Sequence, residues 1–292
     1  MHRTLVLLAA VAFGTTGTAQ ALGPDGSDPV TVGAARIVLG GALLALIGHF
    51  LAPRSTTRWP FGLIVASGVA VALYQLSFFE AVDRTGVAIG TVVALGSAPA
   101  MTGALARVMN GTPLTGRWAG CTAMATAGIL LLVLSGRSAK VEPTGVLLAF
   151  AAGSGYAFYT VAAKRMLDDG HAPEAVMGRA FGMGAILLLP FVLLGDMGWA
   201  ASGDGAAMAI YLALVPTVLA YVAFARGLRG LTPGDTATLT LAEPVTAAAL
   251  GALVLGERPG ALAIAGALLV LGAIVALALP GRKAADPVVM PA

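Results

Sequence analysis

VAIGTVVALGSAPAMTGALA, residues 87–106, carries no charged side chain over twenty consecutive positions. A lipid-spanning β-strand would alternate apolar and polar residues over about ten positions, and this stretch does not alternate. An α-helix, rising about 1.5 Å per residue, needs about 20 apolar residues to cross some 30 Å of hydrocarbon. Length and pattern together read as a membrane helix.

The reading extends outward in both directions. Of 292 residues, 58% are hydrophobic and 11% charged, and mean hydropathy is +0.90, so there is too little polar surface to coat a water-soluble globule. Apolar blocks fall at about 4–22, 30–52, 59–80, 86–108, 116–135, 144–163, 176–195, 206–225, 236–256 and 260–280. The separators are rich in breakers and charge: GPDGSDP (23–29), RSTTR (54–58), GRSAKVEP (136–143), KRMLDDGHAP (164–173) and DMGWAASGDG (196–205). The expectation is an all-α integral membrane protein of ten transmembrane helices, with the lipid bilayer as its surroundings and no separate soluble domain.

A pI near 9.3 does not imply a nucleic-acid partner, because that would gather the basic residues on one solvated face; here they are dispersed at segment ends. Cys121 has no second thiol, and three scattered histidines give no metal-ligand spacing. No GxxxxGK[ST] stretch is present to cradle a nucleotide. No cofactor and no metal are expected.

Lys and Arg set orientation. With a cytoplasmic N-terminus the inside ends carry Arg3, Arg54, Arg58, Arg107, Arg117, Lys164, Arg165, Arg226, Arg229, Arg282 and Lys283, against Arg84, Arg137, Lys140 and Arg258 outside. Both termini are then cytoplasmic, in a bacterial inner membrane, the source being suggested by abundant Ala, Gly and Arg with few Lys. One alternative concerns the first block: MHRT, LVLLAAVAF and an Ala19, Gln20, Ala21 site resemble a cleavable secretory signal, which would leave nine spans.

The two halves echo one another in order. Leu7, Leu8 and Ala9 recur as Leu147, Leu148 and Ala149; Ala35 and Arg36 as Gly178 and Arg179; Phe79, Glu80 and Ala81 as Phe224 and Ala225; Pro99 as Pro244; and Gly128 as Gly272. Five spans per repeat is an odd number, so the second copy enters from the opposite side and the halves, 1–138 and 139–292, form an inverted pair. Such halves can rock about a midplane site by alternating access.

Four stretches then resemble the EamA-type branch of the drug/metabolite transporter superfamily: Ala35 and Arg36, SGYAFYTVAAKR (154–165), TLTLAEPVTAAALGALVLGERPG (238–260) and GALLVLGAIVAL (266–277). The resemblance covers nearly the whole chain and is closer in the second half. It implies two EamA repeats and the export or exchange of amino acids, metabolites or drugs through a central cavity. The first half departs from the pattern after span four, where Asn110, Gly111, Thr112 and Pro113 stand, and in Ala98 opposite Glu243.

Polar groups inside spans are costly and ask for a reason. Glu243 lies directly before Pro244, whose missing N–H frees backbone carbonyls one turn back. A carboxylate there would bind a cationic substrate group or carry a coupling proton; the structural alternative is a hydrogen bond to a neighbouring helix. Arg36 and Arg179 read as snorkelling residues or as gating and pairing groups. Tyr74, Gln75, Tyr159 and Tyr221 read as cavity lining for an amphipathic metabolite, with Tyr156 on the helix face of Tyr159. Pro99 and Pro244 are bending points, and Ser97 a hydroxyl that re-satisfies backbone near Pro99. The glycine spacings Gly86/Gly90, Gly116/Gly120 and Gly178/Gly182 read as helix packing, and His171, beside Asp168 and Asp169, as a solvated loop residue.

The expected activity is therefore export or exchange of a small-molecule substrate, not an enzymatic reaction, with proton coupling and a homodimer left open. Spans three, four, eight and nine should line the cavity, with span six adding Tyr159. Two alternatives stand: a passive facilitator or pore, and an intramembrane serine hydrolase using Ser154, with His49 as the histidine it would need.

Overall fold

The computed structural model describes residues 1–53, 56–134, 142–256 and 258–279. Arg54, Arg137, Lys140, Arg282 and Lys283, used above for orientation, and the division at 138/139 lie outside them. Among the described residues the chain is all-helical, without a strand. The helices are α1 (His2–Ala21), α2 (Pro29–Phe50), α3 (Phe61–Asn110), α4 (Gly116–Leu134), α5 (Pro143–Asp168), α6 (Pro173–Leu194), α7 (Gly203–Ala213), α8 (Ala220–Leu228), α9 (Pro233–Leu239), α10 (Ala242–Val254) and α11 (Ala261–Ala278). Eight helical stretches of the described residues are long and apolar enough to cross a membrane: α1, α2, Phe61–Val82, α5, α6, Gly203–Leu228, Pro233–Val254 and α11.

Helix starts follow local chemistry. The Asp28 carboxylate accepts the Thr31 N–H at 2.9 Å ahead of Pro29, the Ser202 hydroxyl accepts Gly205 N–H at 3.0 Å, and Thr232 accepts Asp235 N–H at 3.0 Å ahead of Pro233. Each acceptor takes a backbone donor the helix itself cannot satisfy, and proline at the first turn has no donor to lose.

Spans three and four were expected as separate helices; the structure joins them in one helical assignment that doubles back. A Cβ placed on Gly90 would lie 3.1 Å from the backbone nitrogen of Val82, whereas eight residues of straight helix cover about 12 Å. The reversal is tight enough to keep helical hydrogen bonding through it. α5 packs along both limbs at one height: a Cβ on Gly155 would meet the Ala70 carbonyl at 2.7 Å, and one on Gly153 the Ala94 carbonyl at 2.9 Å.

Two further helices are interrupted. Between α7 and α8, Leu214–Leu219 winds as a π-turn around Pro216. Proline cannot donate to the Leu212 carbonyl four residues back, and the Thr217 hydroxyl bonds that carbonyl at 2.8 Å instead. Between α9 and α10, Thr240 and Leu241 form a turn: Leu241 N–H bonds Thr238 and Glu243 N–H bonds Thr240, both three residues back.

Small residues bring helices into backbone contact, the usual source of helix association where lipid removes the hydrophobic drive. Gly41 lies against the Phe181 carbonyl and Gly178 against that of Leu44, joining α2 to α6; a Cβ on Gly128 would lie 2.7 Å from the Gly266 carbonyl, where α4 joins α11. Gly178 and Gly182 thus serve packing. Gly116 and Gly120 do not, since a Cβ on either would meet nothing within 4 Å: that face of α4 is turned outward. α1 is built into the core, where Phe13 packs on Tyr221 with ring centroids 4.9 Å apart. Removing residues 1–21 would take that ring away.

Candidate functional site

Where α9 breaks before α10, the chain opens a small cavity lined by Phe13, Arg36, Tyr74, Tyr156, Tyr159, Tyr221, Thr240 and Glu243, with Leu95, Ala98, Ala237 and Leu241 between them. The break itself positions Glu243. It sits in the first turn of α10, where unpaired N–H groups and the helix dipole favour an anion. No hydrogen bond or ion pair engages its carboxylate among the described residues.

The cation opposite is Arg36 of α2. Its Nη2 donates to Gln75 Oε1 at 3.2 Å, while its Nε is buried without a partner. Gln75 stands behind the cavity wall, 2% exposed, and aims the guanidinium. No ion pair joins Arg36 to Glu243, so two opposite charges face one space unpaired.

The remaining wall is aromatic. Tyr159 and Tyr221 approach hydroxyl to hydroxyl at 3.4 Å, and Tyr156 shares a 2.9 Å hydrogen bond with Thr240. Tyr74 meets Tyr156 and Tyr159 edge to face at 6.4 and 6.5 Å. Phe181 packs behind Tyr221 with ring centroids 3.9 Å apart and the planes tilted by 44°. These contacts close the space to about 30 Å³, room for about one water and far below the few hundred cubic ångströms a metabolite needs. The structure is therefore of the shut cavity.

Tyr74, Tyr159, Tyr221, Glu243 and Arg36 come together here, with Gln75 one layer out. Pro244 directly follows the break, and Pro99 lies one residue beyond the lining Ala98. Arg179 is elsewhere: its guanidinium lies 3.5 Å above the Trp59 ring, a cation–π contact. Trp59 also stacks on His171, with ring centroids 3.7 Å apart. His171 is 0% exposed, with neither ring nitrogen bonded, which corrects its reading as a solvated loop residue. Its indole partner, 112 positions away, carries no local signal for that burial.

Sequence reasoning also missed the contributions of α1 and α2 as walls, and Thr240. A hydroxyl one turn before an intramembrane Glu-Pro pair was the available sign. Ser97 bonds the Val93 and Ala94 carbonyls. The Ser154 hydroxyl is engaged by the Phe150 carbonyl at 2.8 Å and Met101 sulfur at 3.5 Å. No His, Asp or Glu bonds it among the described residues, so the pairing a hydrolase requires is not made.

Comparison with known proteins bears on this arrangement. The model of the EamA-like transporter family matches residues 3–134 and again 143–279. An uncharacterized transporter, YwfM, of Bacillus subtilis (strain 168) is 36% identical over 285 residues, covering 97% of this chain and 96% of its own. A probable terminal-alkyne amino-acid exporter of Streptantibioticus cattleyicolor is 28% identical over 295 residues, covering 95% and 97%. A crystal structure superposes with a TM-score of 0.80 over 95% of this chain and 96% of that one, at 20% identity, a likeness of fold.

Proposed function

We propose, from the fact that this chain belongs to the EamA-like transporter family, that it exports or exchanges small zwitterionic metabolites, amino acids and their relatives foremost, by alternating access. Membrane transport is what the family and the transporter-named relatives have in common. The narrower reading rests on one observation: Arg36 and Glu243 face a single aromatic-walled cavity and do not pair with each other. A ligand with a carboxylate at one end and an ammonium at the other satisfies both.

In this reading Arg36, aimed by Gln75, takes the carboxylate, and Glu243 takes the ammonium. Tyr74, Tyr159 and Tyr221 wall the apolar part, their ring faces also suiting a cation. The cavity is the occluded form and widens by rocking of 1–138 against 139–292, with bending at Pro99 and Pro244. Two successive family matches of similar length support two repeats. The second limb of α3 and α4 are the fourth and fifth crossings and bring the eight stretches to ten, the five-helix repeats thread the bilayer in opposite senses, and both termini are cytoplasmic.

The test is counterflow in proteoliposomes loaded with unlabelled amino acids and given labelled ones outside. A carrier accelerates uptake by exchange; a passive pore does not. Glu243→Gln should lower exchange at least about tenfold, the loss of one charge-assisted contact, while membrane insertion and expression stay unchanged. Exchange at the parent rate would remove Glu243 from the site.

A further inference from the structure

On the opposite side of α2 from the cavity, α2, α6 and the start of α3 leave a groove of about 700 Å³ that opens sideways. Its walls are apolar for most of their length, with Leu46 53%, Ile186 65% and Phe61 73% exposed along the rim. Its polar groups are confined to one end, where His49 lies in the last turn of α2 and Arg179 in the second turn of α6. The groove thus has the layout of an amphiphile.

Arg179 is the informative residue. An arginine near the end of a membrane helix normally extends its own stem to reach headgroups. Here the guanidinium is held over Trp59 at 3.5 Å, and Trp59 stacks on His171. No hydrogen bond or ion pair uses its N–H donors among the described residues. The acids nearby are engaged: Glu174 accepts from Arg226 at 2.6 and 2.7 Å, and Asp168 pairs with Lys164 at 2.8 Å. Asp169 lies on the His171 side and acts on that ring, but no Asp or Glu lines the groove among the described residues, where Arg179 is the cation.

We infer that this groove is a binding site for a phospholipid of net negative headgroup. Its phosphate accepts from the Arg179 fork, in the planar geometry that guanidinium and phosphate share, with His49 beside it. One acyl chain lies along the α2–α6 trough. A zwitterionic headgroup would bring a cation that no carboxylate of the groove lining receives. A second copy of the chain seated here two-fold symmetrically would press two cationic rims together.

Photo-crosslinking tests the assignment in the full chain. The protein is reconstituted in phosphatidylcholine vesicles containing phosphatidylglycerol or phosphatidylcholine with a diazirine on the acyl chain, and crosslinked peptides are mapped. Phosphatidylglycerol should label residues 38–49 and 175–189 with an excess of about fivefold, the pull of one basic side chain on an anionic headgroup. Labelling at Leu268 of α11, which is 63% exposed, should show no such excess. Arg179→Gln should reduce the groove to the phosphatidylcholine level and leave the Leu268 signal unchanged. If that variant disturbs the Leu268 signal, and so the fold, His49→Ala carries the test and should lower the excess about twofold. Equal labelling by the two lipids, or an excess that survives the substitution, overturns the site. Labelling that fades as protein density rises overturns it in favour of a second copy.

Discussion

Pro99 and Pro244 lie in similar surroundings, each inside an apolar helix and each followed twelve residues later by a glycine at positive φ, Gly111 and Gly256. Around Pro99 the helix continues. Hydroxyls take up the neighbouring carbonyls: Ser97 bonds Val93 and Ala94, Thr102 bonds Ala98, and Thr126 reaches across from α4 to Gly96 at 2.9 Å. Just before Pro244 the helix breaks, the chain tightens to three-residue hydrogen bonds at Thr240 and Leu241, and α10 starts anew. A proline alone does not decide the outcome. What differs is the residue before it, Ala98 in one case and Glu243 in the other, and whether a helix N-terminus is needed to face a carboxylate.

The sharpest way to break this comparison is to exchange those residues. The double variant Ala98→Glu, Glu243→Ala keeps one carboxylate in the cavity wall but moves it to an unbroken helix, away from any N-terminal donors. Counterflow should fall at least about tenfold; activity near the parent level would make the two sites equivalent and the break irrelevant. Next in size are the prolines. Pro244→Ala restores the donor and lets α9 run into α10, so exchange should drop several-fold while the unfolding midpoint rises. Pro99→Ala should change exchange less than about twofold, because that helix is already continuous. Similar losses in both would show bending, not the break, to be limiting.

Smaller effects sharpen the picture. Thr126→Val removes the cross-helix hydrogen bond to Gly96 and should cost about 1 kcal/mol, read as a midpoint roughly 2–4 °C lower; no shift would mean the Pro99 helix holds without that bond. The smallest expected effect separates the break from the remainder of the fold. His171 is held below the ordinary histidine pKa by desolvation; Asp169 opposes this and Arg179 adds to it. The folded state then binds fewer protons than the unfolded one, so stability is full above about pH 6.5 and declines as pH falls below it. The midpoint should drop by about a degree between pH 7 and 5, and His171→Phe should flatten that slope. A slope unchanged by the substitution would move the response elsewhere.

The all-helical membrane character was legible because apolar blocks of about twenty residues have one physical meaning. So was much of the cavity wall: Tyr74, Tyr159, Tyr221 and Glu243 stand out as polar atoms inside apolar blocks. The π-turn at Pro216 was not, because it depends on Thr217 finding the Leu212 carbonyl in three dimensions. The fate of the two arginines was equally hidden. Arg36 and Arg179 hold matching places in the sequence, yet one finds Gln75 and the other Trp59, partners supplied by neighbouring segments. Phe13 had no polar atom to mark it.

The glycine contacts between α2 and α6 have a mechanical consequence. Where Gly41 meets the Phe181 carbonyl and Gly178 that of Leu44, the side chains nearest the glycines are the methyls of Ala185 and Ala45, which have no rotamer to change. The pair behaves as a single stiff plank. If the halves rock as proposed, α2 and α6 should tilt together and carry movement at the Arg36 end to the Arg179 end. A methyl group at Gly178 would wedge against Leu44 and Ala45, away from every cavity-lining residue, and should hinder that shared tilt.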